Sequence, residues 1–196
     1  LNVARNFLFD QVGWDIEADG FYGAPRIRII CGDQKHNTIT RALRMLGFGR
    51  NVMVELPSDK DGKLHVDEVR KEFERDHVTP TMVILQAGEI HTGAFDDFKS
   101  IIPLAHAHNA WVHIDGAFGL WAAASPKYTH LLEGAEDADS WATDGHKWLN
   151  VPYDSGYAFI AHPAAHFKTF TSQAGYLKED GKARDEYNWT PELSRR

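Results

Sequence analysis

Short apolar runs rich in Val and Ile, separated by stretches with helical spacing, constrain the fold of this chain more than any other feature of its sequence. The runs cover residues 26–31, 51–56, 81–87, 110–115, 140–143 and 156–161. Several lack the polar/apolar alternation of a strand with one wet face, as expected for strands covered on both sides. Between them, Ile39, Ala42, Leu43 and Met45-Leu46 follow helical spacing and are closed by Gly47. Val66, Val69 and Phe73 mark another helix after a polar turn over 59–63. Phe98, Ile101, Ile102 and Ala105 mark a third, with Asp96-Asp97 suited to its positive N-terminal end. Strand–helix–strand alternation predicts an α/β fold, a three-layer sandwich with a mostly parallel sheet between helices. In such sheets ligands sit at the carboxyl ends of strands, so the residues just after each run are the ones to weigh.

The bulk numbers narrow the function. The 196 residues suit one domain, and 43% hydrophobic with 25% charged residues is a globular composition. A net charge of −7 argues against a nucleic-acid binder or attraction to an anionic membrane surface. No apolar run approaches the ~20 residues of a membrane helix. Cys31, the single cysteine, permits no internal disulfide and points to a reducing compartment such as the cytoplasm. The chain opens at Leu1 inside a helical pattern and stops at Arg196, so residues 1–196 are expected to be one partial domain of a longer protein.

Three segments that follow strands carry candidate chemistry. In WVHIDGAFG, Asp115 ends a hydrophobic run and small residues follow; it is placed either to meet a ligand or to cap a helix. In DSWATDGHKWLN, Lys147 lies among Trp, Leu, Val and Pro rather than on a polar face. An apolar surround and a neighbouring cation favour the neutral amine that a Schiff-base lysine needs, although a snorkelling surface lysine is the commoner case. In DQKHNT, His36 opens a helix, where it can stack on a planar ligand or serve as an ordinary helix-start residue. A lysine amine for an aldehyde and an acid for a ring nitrogen together describe the needs of pyridoxal 5'-phosphate (PLP).

At these residues the chain resembles the group II PLP-dependent amino-acid decarboxylases, a family that includes aromatic-amino-acid and glutamate decarboxylases. The resemblance covers nearly the whole chain and is densest through AGEIHTGAFDDF, WVHIDGAFGLWAA and ADSWATDGHKWLNVPYDSG. It implies the large domain of the aspartate-aminotransferase-like fold type I enzymes. It also implies decarboxylation of an L-amino acid to its amine and CO2. By position, Lys147 is then the Schiff-base lysine and Asp115 the partner of the pyridine nitrogen. Ala117 packs under the ring, His36 stacks on its other face and His146 lies near the phosphate. Tyr176 matches a loop tyrosine that protonates the α-carbon after CO2 leaves; its bland alternative is an exposed loop residue. Residues 189–196 resemble the segment where the family chain returns to the core. The resemblance further implies a homodimer, with the N-terminal phosphate-binding loop and the small C-terminal domain outside this chain.

The chain departs from the family where paired hydroxyl residues often follow the glycine matched by Gly88: here stand Glu89-Ile90-His91-Thr92. Contacts to the cofactor and substrate preference are expected to differ accordingly, with Glu89, His91 and Trp121 as candidate pocket residues. An aminotransferase on the same fold is the nearest rival, since a fold alone does not decide a reaction; a non-catalytic relative that keeps the fold for assembly is another. A metal site at His106, His108 and His113 finds no support in spacing: residues two apart on a helix do not face each other, and no HExxH or CxxC pattern is present.

Overall fold

A computed structural model of the chain describes residues 1–171 and 188–191. Six strands form one sheet: β1 (Arg28–Gly32), β2 (Met53–Leu56), β3 (Thr81–Gln86), β4 (Trp111–Asp115), β5 (Ser140–Asp144) and β6 (Gly156–Ile160). Each apolar run of the sequence becomes one of them, with ends shifted by up to two residues. The spatial order is β2-β1-β3-β4-β5-β6; the first five are parallel and β6 pairs antiparallel with β5. Among the described residues six α-helices accompany the sheet: α1 (Asn2–Gln11), α2 (Ile16–Asp19), α3 (Asn37–Met45), α4 (Val66–Arg75), α5 (Phe98–His106) and α6 (Pro163–Phe170). None of the helices among the described residues is long and apolar enough to cross a membrane.

Successive residues of a strand point to opposite faces, and the two cores divide accordingly. Ile30, Val83, Leu85, Val112 and Ile114 pack with Val69 and Phe73 of α4 and with Ile101 and Ile102 of α5 on one face. Ile29, Cys31, Met82, Ile84 and Trp111 pack with Leu8 and Phe9 of α1 and with Ile39 and Leu43 of α3 on the other. The absence of alternation in β1 and β3 thus has its expected cause: both are buried along their whole length. β6 departs from that expectation, with four of its five residues exposed among the described residues.

Two helix starts separate the expected from the observed. Asp97 caps α5 by accepting Ser100 N at 3.1 Å. Asp96, expected to help it, turns inward instead and accepts Leu64 N at 2.8 Å and Gln86 N at 2.7 Å. Two buried amides needing an acceptor outweigh a second charge at a helix end that already has its cap. Burial pushes the Asp96 carboxyl up to about 6 against those two bonds. Elsewhere, buried Arg28 joins β1 to the end of α4 through Glu72 Oε1 at 3.2 Å and the Asp76 carbonyl at 2.7 Å. Trp189 reaches α6, where its carbonyl lies 2.8 Å from His166 Nε2.

The three histidines weighed as a metal site go to three places. His106 donates to Asp139, His108 stacks on Phe73 at 4.5 Å, and His113 is buried against Ser140.

Candidate active site

The strand order places the site. The chain leaves β1 for β2 on one side, then returns past β1 to β3 and continues outward to β4 and β5. At such a reversal the connections after adjacent strands diverge and leave a crevice at their carboxyl ends. His36 follows β1, Gly88 follows β3, Asp115 ends β4, and Asp144 ends β5 just before Lys147. In register, Gln86 lies beside Asp115 and Asp115 beside Ala142, so these strand ends are level. They open on a cavity of about 610 Å³ whose wall includes His36, Asp115, Ala117, His146 and Lys147. Five of the six residues singled out from the sequence therefore meet in one place, although His36 and Lys147 are more than a hundred positions apart. The sixth, Tyr176, lies outside the described residues.

Asp115 shares its face of β4 with Trp111 and His113, four and two residues earlier. Below it, Trp111 Nε1 donates to Ser140 Oγ, which is 2.8 Å from His113 Nδ1. Burial holds His113 well below its ordinary value, so the ring is neutral. Burial likewise raises Asp115 above the usual carboxylate range; the Ala117 amide at 3.2 Å and the charges of Lys147 and His36 pull the other way. Asp115, partly buried and without an ion-pair partner among the described residues, is poised to accept a cation. The capping alternative is met only in part: Asp115 accepts the Ala117 amide, but the 3₁₀ segment Gly119–Ala124 has Phe118 at its N-cap position and no side-chain cap.

Lys147 differs from its expected surroundings. Trp148 and Leu149 face outward, 70% and 43% exposed, and do not enclose it. The amine instead lies 4.1 Å from the centre of the Phe118 ring and 2.9 Å from Asp144 Oδ2, an anion where a cation was expected. Asp144 and Phe118 were not singled out from sequence; the Asp-x-x-Lys spacing is the signal that would have found the first. His36 is both a helix-start residue and a cavity residue. Its Nδ1 accepts Thr38 N at 3.3 Å, and the rest of the ring joins the cavity wall.

The remaining polar groups fit a phosphate-bearing ring. His146 stacks on Tyr153 at 4.3 Å, and its buried Nδ1 has no hydrogen-bond partner among the described residues. The buried Thr143 Oγ1 is in the same condition, and both residues line the cavity. Unpaired buried polar atoms are uncommon and ask for a partner; a phosphate would supply one to each. Ala117 offers only a methyl group, which suits close approach by a flat ring. Of the pocket residues weighed from sequence, Glu89 and Trp121 line a second cavity of about 630 Å³ that shares Gly88, Ile90 and Phe118 with the first. His91 lines neither.

Comparison with known proteins agrees with this geometry. Residues 19–196 match the model of the pyridoxal-dependent decarboxylase conserved domain. An aromatic-L-amino-acid decarboxylase of Bacillus atrophaeus is 33% identical over 84% of this chain and 36% of its own length. An L-2,4-diaminobutyrate decarboxylase of Acinetobacter baumannii is 27% identical over 97% of this chain and 38% of its own. Among solved structures, Oryza sativa TDC with PLP and tryptamine superposes with a TM-score of 0.84 at 26% identity, covering 95% of this chain and 39% of that one. The chain thus spans well under half the length of these relatives.

Proposed function

Because this chain belongs to the pyridoxal-dependent decarboxylase family, we propose that the whole protein binds PLP and converts an L-amino acid to its amine and CO2. The observation that carries this reading is the meeting of Lys147 and Asp115 on one cavity at the ends of neighbouring strands. When bound there, PLP supplies an electron sink for the electrons left on the α-carbon as the carboxylate departs.

The chain's own residues do the rest. Lys147 provides the amine for the cofactor's aldehyde and is steered by Phe118 and Asp144. Asp115 pairs with the protonated ring nitrogen; parting a buried pair of this kind costs on the order of 3–5 kcal/mol. Ala117 and His36 would hold the ring between them, and His146 with Thr143 would serve the phosphate. Orienting the substrate's carboxylate for departure would contribute several kcal/mol, within the ~7–11 attributed to good orientation. Tyr176 returns the proton to the α-carbon, a role that rests on resemblance alone. The whole protein is a cytoplasmic homodimer in this reading, and residues 1–196 are the central, lysine-bearing part of its cofactor domain.

The test is product analysis on the whole protein with PLP and a panel of L-amino acids. CO2 with the matching amine is expected, and Lys147→Ala should abolish both turnover and the visible absorbance of lysine-bound cofactor. Oxo acid without CO2 would mark an aminotransferase; near-normal turnover in Lys147→Ala would end the account.

A further inference from the structure

The second cavity holds a charged group for which the chemistry above has no use. Glu89 is 3% exposed, and its Oε2 accepts three bonds: His91 N at 2.8 Å, Thr92 N at 2.7 Å and Thr92 Oγ1 at 3.0 Å. These hold the turn after β3. Its Oε1, equally buried, has no partner among the described residues. Burial pushes the carboxyl up, but the Thr92 and His91 bonds outweigh it and hold the group below the usual carboxylate range. Glu89 is therefore ionised at neutral pH with one oxygen uncompensated, which a protein interior tolerates poorly.

Glu89 is the only charged residue among those described that line this cavity. The walls are largely aromatic, from Phe95, Phe118, Trp121, Tyr128 and Trp148. A lone anionic oxygen asks for a charged donor rather than a neutral one. Aromatic faces attract the same kind of group. The cavity adjoins the one holding Lys147 across Gly88, Ile90 and Phe118, and Lys147 and Trp148 are consecutive residues on the two sides. Gly88 is closed on its Cβ side by Gly119 N at 3.2 Å and Phe118 Cβ at 3.4 Å, so an amino acid held at Lys147 would reach toward Glu89 past Ile90 and the Phe118 ring.

We propose that Glu89 and its aromatic surround receive a side-chain ammonium, so that the substrate is a diamino acid. This rests on the decarboxylase reading for the reaction itself. The competing use of the free oxygen is an internal bond from the Trp121 indole, whose Nε1 also lacks a partner. An internal bond would leave substrate preference indifferent to Glu89.

The experiment compares kcat/KM on the cofactor-loaded whole protein for two matched pairs: L-2,4-diaminobutyrate against L-norvaline, and L-ornithine against L-norleucine. L-Tyrosine and L-glutamate complete the panel. At least a tenfold preference for one diamino acid over its uncharged match is expected. Glu89→Gln, whose remaining oxygen can still accept the turn's bonds, should reduce that ratio at least tenfold. Preference for a neutral, aromatic or acidic substrate overturns the proposal, as does a ratio that survives Glu89→Gln. A second measurement needs no turnover: calorimetric binding of 1,3-diaminopropane to the cofactor-free protein should weaken at least tenfold in Glu89→Gln, and equal affinity refutes the site. CO2 from other amino acids with no diamino preference sinks this inference alone. Binding of diaminopropane through Glu89 with CO2 from no amino acid sinks the decarboxylase reading and leaves the ammonium site standing.

Discussion

Replacing Gly119 with alanine tests how the wall between the two cavities is built. Gly119 N donates to the Ala87 carbonyl at 2.9 Å, which draws the segment after β4 against the end of β3. A Cβ at Gly119 would lie 2.5 Å from the Ala87 carbonyl carbon and 2.6 Å from the tip of the Phe95 ring. Ordinary contact begins near 3.4 Å, so backbone must retreat by most of an ångström. Overpacking of this kind costs about 1–3 kcal/mol, and the strained amide bond about 1 more. The sum, about 2–4 kcal/mol, should lower the urea midpoint by about 1–2 M at a slope near 2 kcal/mol/M. Gly49→Ala is the control, because nothing lies within 4 Å of its Cβ position and its φ is −77°; it should stay within about 0.5 kcal/mol of wild type. Urea unfolding followed by circular dichroism reads both variants. The displacement would also move Phe118 off the Lys147 amine, so Gly119→Ala should retain less lysine-bound cofactor. If the two alanine variants unfold at the same midpoint, the close approach does not exist.

Asp96 gives a pH dependence of defined sign. Its folded value of about 6 lies above the unfolded 3.8, so its contribution to stability is full below about pH 4 and is lost as pH rises through 6. The gap is worth about 3 kcal/mol. The stability difference between wild type and Asp96→Asn should therefore shrink by about that much between pH 4 and 7.5, and a flat difference counts against it. Arg28→Met leaves Glu72 without its buried partner and should cost about 3 kcal/mol in the same unfolding assay; a loss under 1 would mean that exposed Arg75, 2.7 Å from Glu72, suffices. Tyr176→Phe should slow amine formation while cofactor binding, read by absorbance, holds; loss of the cofactor instead would assign that tyrosine to structure.

Much of this was legible in the sequence because its causes are local. Strand and helix periodicities are properties of neighbouring residues, so all six strands and the buried faces of α4 and α5 could be read in advance, and that of α3 apart from Met45, which is 79% exposed. Lys147 and Asp115 were legible for another reason: Asp115 ends its strand, Lys147 comes three residues after its own, and their chemistry narrows the cofactor to one class. What only the tertiary structure decided involves partners brought from afar. The strand order, and with it the crevice joining His36 to Asp115 and Lys147, depends on which way each crossover turns. Asp96 looked like a second charge for α5 until two amides, one of them 32 residues earlier, claimed it. The groups at Thr143 and His146 and the Glu89 oxygen, all without partners among the described residues, are likewise invisible to periodicity. Whether a buried polar atom has a partner is settled by the packing of segments distant in the chain, and that packing exists only once the sheet has formed.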